Sequence, residues 1–241
     1  MKVYWNPGHS DIDPGAVKYA VERDLNVKTA EYANAYMLES YEVETKVTDG
    51  KLDRLKDICA DANNWGAGLF VSIHNNAGGG DGFECYVYNE KRRPLGQVFE
   101  KYVKALGQNS RGVKIQPGFV VLRDTNMPAV LLEGAFVDNK KDIQDWDEDY
   151  ELKKLGEAYA KAAAEWCGLK EKAKTVTVTL DILRNGSCNK QVATVQKLVG
   201  TDDDGIFGKN TEKAVKDYQA KKGLPVTGVV DQATWEKLLG M

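Results

Sequence analysis

The chain has 241 residues, 42% of them hydrophobic, with 33 basic and 36 acidic side chains and a formal net charge of -3. That length exceeds one common domain size and the apolar content suffices for ordinary cores, so more than one compact unit is expected. The two signs of charge are interspersed, which excludes a polybasic stripe for nucleic acid or anionic lipid, and no stretch approaches the roughly 18 uninterrupted apolar residues that insert into a membrane.

At the N-terminus Met1 leads directly into Lys2-Val3-Tyr4-Trp5, the start of a strand near residues 2–6, with no apolar region or cleavage site of a secretory signal. Synthesis in the cytoplasm without a signal peptide is therefore expected. Further strands are predicted near residues 43–47, 69–74, 83–88, 119–122 and 129–133. A helical pattern begins at Val21-Glu22, and Leu95, Val98, Phe99, Tyr102 and Leu106 mark one apolar helix face. Leu155, Tyr159, Ala162 and Trp166 mark another. Strand-length apolar runs alternating with helical periods predict an α/β fold, an open, mostly parallel twisted sheet with flanking helices, over residues 1–169.

Lys170-Glu171-Lys172-Ala173-Lys174 opens a charged connector over residues 170–177, and a second module is expected at residues 178–241. There Val192, Val195 and Val199, then Ala214, Val215 and Tyr218, then Trp235, Leu238 and Leu239 recur at helical spacing, which predicts a small three-helix domain with Asp231 capping its last helix. Asp202-Asp203-Asp204-Gly205 lacks the alternating ligands and closing glutamate of a calcium loop and reads as a turn. Cys59, Cys85, Cys167 and Cys188 form no Cys-x-x-Cys pair and read as free thiols, the first two in the core.

Only two histidines occur, His9 and His74, and each lies just beyond a strand-like run. Neutral imidazole is a good zinc donor, and Glu22 at a helix start supplies a carboxylate. Together they make the three-ligand set that leaves a fourth zinc position open, whereas a structural site normally has four protein ligands. In an open α/β sheet the binding crevice lies beyond the carboxyl ends of the strands, so His9, His74 and Glu133 are expected to converge there, with Glu22 approaching from the adjoining loop. Gly78-Gly79-Gly80 is followed by no P-loop lysine and no dinucleotide fingerprint, so nucleotide binding is not expected.

Four blocks in order, His9 with Asp13-Pro14-Gly15-Ala16, Glu22, Ser72-Ile73-His74-Asn75-Asn76-Ala77 and Pro128-Ala129-Val130-Leu131-Leu132-Glu133-Gly134-Ala135-Phe136-Val137-Asp138-Asn139, resemble the zinc-dependent N-acetylmuramoyl-L-alanine amidases of the amidase-3 type. The resemblance spans about residues 1–168. It implies His9, Glu22 and His74 as zinc ligands, Glu133 as the catalytic carboxylate and Asn76 as a substrate contact. The chain departs from the family at Ser10 and Ala135, where glycine is common, and at Asn75, where alanine is common. From Gly186 through Asp204-Gly205-Ile206-Phe207-Gly208 and Gly223-Leu224 to Thr234-Trp235, the second module resembles three-helix peptidoglycan-binding domains.

The implied reaction is hydrolysis of the amide between N-acetylmuramic acid and L-alanine in bacterial peptidoglycan. Zinc lowers the pKa of water toward about 7 and stabilises the oxyanion, and Glu133 moves the proton. The absent signal suits a phage endolysin released by a holin or an autolysin freed by cell lysis. Two alternatives stay open. A zinc peptidase would cut elsewhere in the stem peptide, although the helical His-Glu-x-x-His is absent. A non-catalytic wall-binding protein would be expected to have lost one of the four site residues.

Overall fold

The computed structural model describes residues 1–48, 50–173 and 179–240. Two compact units divide the chain, Met1–Ala173 and Lys174–Met241.

In the first unit the elements run β1 (Lys2–Pro7), α1 (Glu22–Ser40), β2 (Glu44–Val47), α2 (Leu55–Trp65), β3 (Leu69–Asn76), β4 (Phe83–Val87), a short 3₁₀ turn, α3 (Arg93–Lys104), β5 (Ser110–Ile115), α4 (Val120–Arg123), β6 (Ala129–Phe136), α5 (Lys140–Ile143) and α6 (Asp149–Cys167). The sheet order is β2-β1-β3-β6-β4-β5. All neighbours are parallel except β4 and β6, which are antiparallel. The central strands β1, β3 and β6 are almost wholly buried, as expected of parallel strands covered on both faces.

Alternation along each strand sorts the core into two layers. Val3, Trp5, Val71, Ile73, Val130 and Leu132 face α1, α3 and α6, whereas Tyr4, Phe70, Ala129 and Leu131 face α2 and α4. Helices α1 and α6 approach closely at Gly156, where an added Cβ would lie 2.7 Å from the Thr29 carbonyl oxygen. Glu171 pairs with Tyr41 and the Lys172 amide donates to the Ser40 carbonyl, so the first residues of the expected connector lie on this unit. Its remainder, residues 174–177, lies outside the described residues.

Two local expectations fail. Residues 119–122 form no strand: the amides of Leu122 and Arg123 turn back to the Phe119 carbonyl and that of Asp124 to Val120, making the single turn α4. An apolar run of four cannot be assigned by periodicity. The sixth strand is instead β5, whose Arg111, Gly112 and Lys114 hide it from an apolar search. It is an edge strand, where charge is the usual protection, and Gly112 at φ 88° coincides with a shift of register against β4. Strands β3 and β6 also run on past their expected ends at residues 74 and 133.

The second unit contains α7 (Lys190–Val199), α8 (Lys209–Lys222) and α9 (Gln232–Leu239) around Leu183, Val192, Val195, Phe207, Val215, Val230 and Trp235. Asn189 caps α7 through the Val192 amide and Asp231 caps α9 through the Thr234 amide. An internal repeat emerges from its polar contacts. Gln196 Nε2 donates to Asp204 Oδ1, the Ile206 carbonyl and Thr211 Oγ1, while its Oε1 accepts from the Gly205 amide. Twenty-three residues later Gln219 makes the same set with Thr227, Val229, Thr234 and Gly228. Each buried amide thus ties a helix to the turn that starts the next. Asp204 is absorbed in this network and Asp203 pairs with Lys197, in accord with a turn.

Among the described residues no helix is long and apolar enough to cross a membrane. All four cysteines are free thiols, with Cys59 and Cys85 buried.

Candidate active site

Three strands deliver the site. The Gly8 amide donates to the Ile73 carbonyl just past β1, and His9 then takes φ 72°, the only left-handed residue other than glycine among those described. Such backbone is costly for a side chain that has a Cβ and persists where surrounding contacts fix it. The first helix begins at Glu22, which is buried at 5% exposure. His74 and Glu133 sit opposite each other within β3 and β6. This corrects the expectation that both lie just beyond their strands: each projects from the pleat itself, so its aim is set by the sheet.

The Glu22 carboxylate stands between the two imidazoles. Its Oε1 is 3.0 Å from His9 Nε2 and 3.0 Å from His74 Nδ1, and it also accepts from the Asn75 amide. Its Oε2 accepts from the Ala16 amide at 2.9 Å. His9 Nδ1 meets Asp13 Oδ2 at 3.0 Å, and Asp13 Oδ1 accepts from the Gly15 amide. The donor atoms of His9, Glu22 and His74 all lie within 4.8 Å of one another.

This set fits a zinc-sized ion, for which nitrogen and oxygen ligands stand about 2.0–2.2 Å from the metal. The backbone around it has no room to spare. A Cβ on Gly8 would lie 2.1 Å from the His74 ring, and one on Gly15 would lie 2.6 Å from Glu22 Oε2 and the His9 ring.

Charge follows the geometry. The hydrogen bond to Glu22 raises the His9 pKa to about 9 against the opposing effect of burial, with Asp13 adding to the rise. Burial alone would raise the Glu22 pKa, but its bonds to His74, His9 and the Ala16 amide outweigh that and hold it far below the carboxylate range. Glu133 goes the other way, pushed up to about 8 by burial and then by the charges of Glu22 and Glu84. Its Oε2 is buried without a hydrogen-bond partner among the described residues.

His9, Asp13, Glu22, His74 and Glu133 line one cleft of about 530 Å³, whose walls include Leu55, Ile58, Phe119, Val121 and Leu131. Asn76 also lines it, with its Nδ2 on Glu84 and its Oδ1 accepting from the Ala77 amide. Gly78 and Gly79 give their amides to Asp138.

Several supporting residues escaped the sequence reading. Asn26 donates to the Gly8 carbonyl, and Asn75 donates to Asn26 while accepting from the Ala135 amide. These bonds brace the His9 turn against α1, β3 and β6, and they give Asn75, a departure from the family pattern, a structural role. Asp13 was visible only as part of a motif. Its pairing with His9 at four residues' separation was the one local signal of that contact.

Comparisons with known proteins bear on the family and the fold. Residues 3–165 match the N-acetylmuramoyl-L-alanine amidase family and residues 193–238 match a peptidoglycan binding domain family. The chain is 31% identical over 179 residues to the sporulation-specific N-acetylmuramoyl-L-alanine amidase of Bacillus subtilis, covering 71% of this chain and 70% of that one. It is 34% identical over 186 residues to the endolysin of Bacillus phage SPP1, covering 71% and 68%. The catalytic domain of CwlV, an N-acetylmuramoyl-L-alanine amidase from Bacillus (Paenibacillus) polymyxa var. colistinus, superposes with a TM-score of 0.66 at 28% identity, over 70% of this chain and 99% of that one. By the extent of these matches, the chain belongs to the N-acetylmuramoyl-L-alanine amidase family.

Proposed function

We propose that the chain is a zinc-dependent amidase that hydrolyses the bond between the lactyl group of N-acetylmuramic acid and the L-alanine opening the peptidoglycan stem peptide. The observation that carries this reading is the clustering of His9, Glu22 and His74 within 4.8 Å beside Glu133, which faces His74 across adjacent strands. His9, Glu22 and His74 would hold the zinc ion. When bound, it supplies Lewis acidity, polarising the scissile carbonyl and bringing the pKa of water toward about 7.

The protein's own residues do the rest. Asp13 orients the His9 ring through Nδ1, leaving Nε2 to face the site. Glu133 takes a proton from the attacking water and delivers one to the departing alanine nitrogen, which leaves poorly as an unprotonated amine. Burial pushes this carboxyl upward, which favours its holding the proton that it later delivers. Asn76 contacts substrate with the amide hydrogen and carbonyl lone pair that its two internal bonds leave over. We assign hydrolysis to residues 1–169 and wall binding to residues 178–241, joined by residues 170–177, so that the second module raises the enzyme's concentration at the wall.

Mass spectrometry of muropeptides digested by the purified chain tests the reading. Free lactyl carboxyl groups and L-alanine amino termini should appear in equal amounts, without new reducing sugar ends. New amino groups only on D-alanine or a diamino acid would replace this activity with a peptidase.

A further inference from the structure

The sheet face that carries Glu133 continues across β4 and β5 and holds a cation pair that the proposed chemistry does not use. Glu84 lies directly opposite Glu133 in the antiparallel pair, and Lys114 lies opposite Tyr86 on the edge strand. Opposed residues share a face, as do residues two apart on one strand, so Glu133, Glu84, Tyr86 and Lys114 all project to the same side.

The Glu84 carboxylate is 3% exposed and saturated by four donors. Oε1 accepts from Arg111 Nε at 2.5 Å and Lys114 Nζ at 2.6 Å, and Oε2 accepts from Tyr86 Oη at 2.5 Å and Asn76 Nδ2 at 3.1 Å. One negative charge therefore faces two positive ones. Arg111 commits only its Nε, and its terminal amino groups make no hydrogen bond among the described residues. The guanidinium lies 5.4 Å from the centre of the Phe136 ring, and the Arg111 and Lys114 side chains remain 44% and 38% exposed. Asp13, Glu22, Asp53 and Glu133 line the neighbouring cleft, whose described lining residues include no lysine or arginine. The cation pair is thus a place beside the cleft where a carboxylate of a ligand meets lysine and arginine.

We propose that Arg111 and Lys114 form a carboxylate subsite for the free α-carboxylate of the second stem residue, the γ-linked D-glutamate, and thereby select peptidoglycan in which that group is not amidated. The inference rests on the amidase reading, which puts the alanine nitrogen at Glu133. The second residue's α-carbon is then one residue farther on, about 3.8 Å from that of alanine. Glu84 stands on the strand next to Glu133, and Arg111 and Lys114 stand one strand farther out with their heads drawn back onto Glu84. The second residue's α-carboxylate is the first carboxylate met along the stem after the alanine. The two unused amino groups of Arg111 present the planar fork that receives a carboxylate in bidentate fashion, while Glu84 holds the fork in place. An amide there offers a single acceptor and no charge, and leaves the excess cation unpaired.

The test compares two soluble muramyl peptides that differ only in whether the second residue bears a free α-carboxylate or its amide. Wild-type kcat/KM should favour the acid about tenfold, mainly through KM, as loss of one charge-assisted contact predicts. Arg111→Gln and Lys114→Met should each bring the ratio toward one, and Arg111→Lys should retain part of the preference. If the pair served only to neutralise Glu84, both substrates would slow together and the ratio would survive the substitutions, with thermal melting reporting any loss of fold. A wild-type ratio near one, a preference for the amide, or an unchanged ratio in Arg111→Gln would overturn the proposal. Failure of the amidase reading looks different: neither peptide would yield a new L-alanine amino terminus.

Discussion

The buried glutamines of the second unit and Glu133 of the first are paired in opposite ways. In the second unit Gln196 and Gln219 satisfy both ends of their amides against the backbone and hydroxyls of the following turns. Fully paired networks of this kind fix a shape and leave nothing over to react. In the first unit Glu133 holds a buried oxygen with no partner among the described residues, and His9 holds a left-handed backbone two residues past a strand end. Unsatisfied acids and strained backbone survive where the surrounding fold is rigid enough to impose them, and they mark the place where a reacting molecule completes the pairing. The contrast separates a unit built to do chemistry from one built to present a surface.

Replacing Glu133 with Gln is the sharpest way to break that contrast. Activity should fall by about 10²–10⁴, the usual worth of a positioned acid–base group, while metal analysis still finds about one zinc per chain. His74→Ala should lose metal and activity together. The metal-free Glu133→Gln protein should also be more stable than wild type near neutral pH. Because the folded Glu133 pKa of about 8 lies above its ordinary 4.5, wild-type stability declines as pH rises from 4.5 toward 8. The melting gap between the two should therefore be small below pH 4.5, widen up to about pH 8 and then stay constant. A gap independent of pH would show that Glu133 ionises freely in the fold.

Much of this site was legible in the sequence because its residues are rare or conspicuous. Two histidines in the whole chain leave little choice of ligand, and Glu133 interrupts an apolar run that otherwise belongs in a core. The alternation of apolar runs and helical periods likewise pointed to the mostly parallel sheet. What stayed hidden depends on pairings that local pattern does not encode. The strand β5 reads as loop because Arg111, Gly112 and Lys114 suit an exposed edge, and without it Glu84 lacks its two cationic partners. Phe119 to Leu122 reads as strand because only the hydrogen bonds of the folded turn distinguish it from one. The Asn26 and Asn75 brace spans 49 positions, and neither residue type announces burial.

Glu84 offers a second comparison, a buried carboxylate whose pairing is complete beside one whose pairing is not. Burial would raise its pKa, but Lys114, Tyr86 and Arg111 lower it to about 2. A depressed acid contributes stability that is full above its ordinary value of 4.5 and is lost as pH falls through about 2. Glu84→Gln should therefore cost roughly 2–3 kcal/mol at pH 7, with the difference from wild type shrinking between pH 4.5 and 2, the opposite trend to Glu133→Gln. Chemical denaturation across that pH range reads it directly, and a difference that persists at pH 2 would assign the loss to packing.

The smallest effect on chemistry should come from the second unit. Gln219 is 1% exposed, and its truncation to Ala leaves the Gly228 amide without its partner and removes one of the donors to the Val229 carbonyl. Such a loss typically costs about 1–3 kcal/mol, a large share of the stability of a module this small. Calorimetry should show one transition moving to lower temperature while the transition of the first unit stays in place, as two separate cores require. Gln196→Ala, its counterpart in the repeat, should behave alike. Hydrolysis of short soluble muropeptides should be unchanged in both variants, since those substrates need no anchoring. At a temperature between the two transitions, hydrolysis of intact sacculi should slow several-fold because the local concentration supplied by wall binding is gone. If both transitions fell together, the first unit would depend on the second for its stability. If sacculi were cleaved at the wild-type rate with the second unit melted, its satisfied network would support some task other than holding the enzyme to the wall.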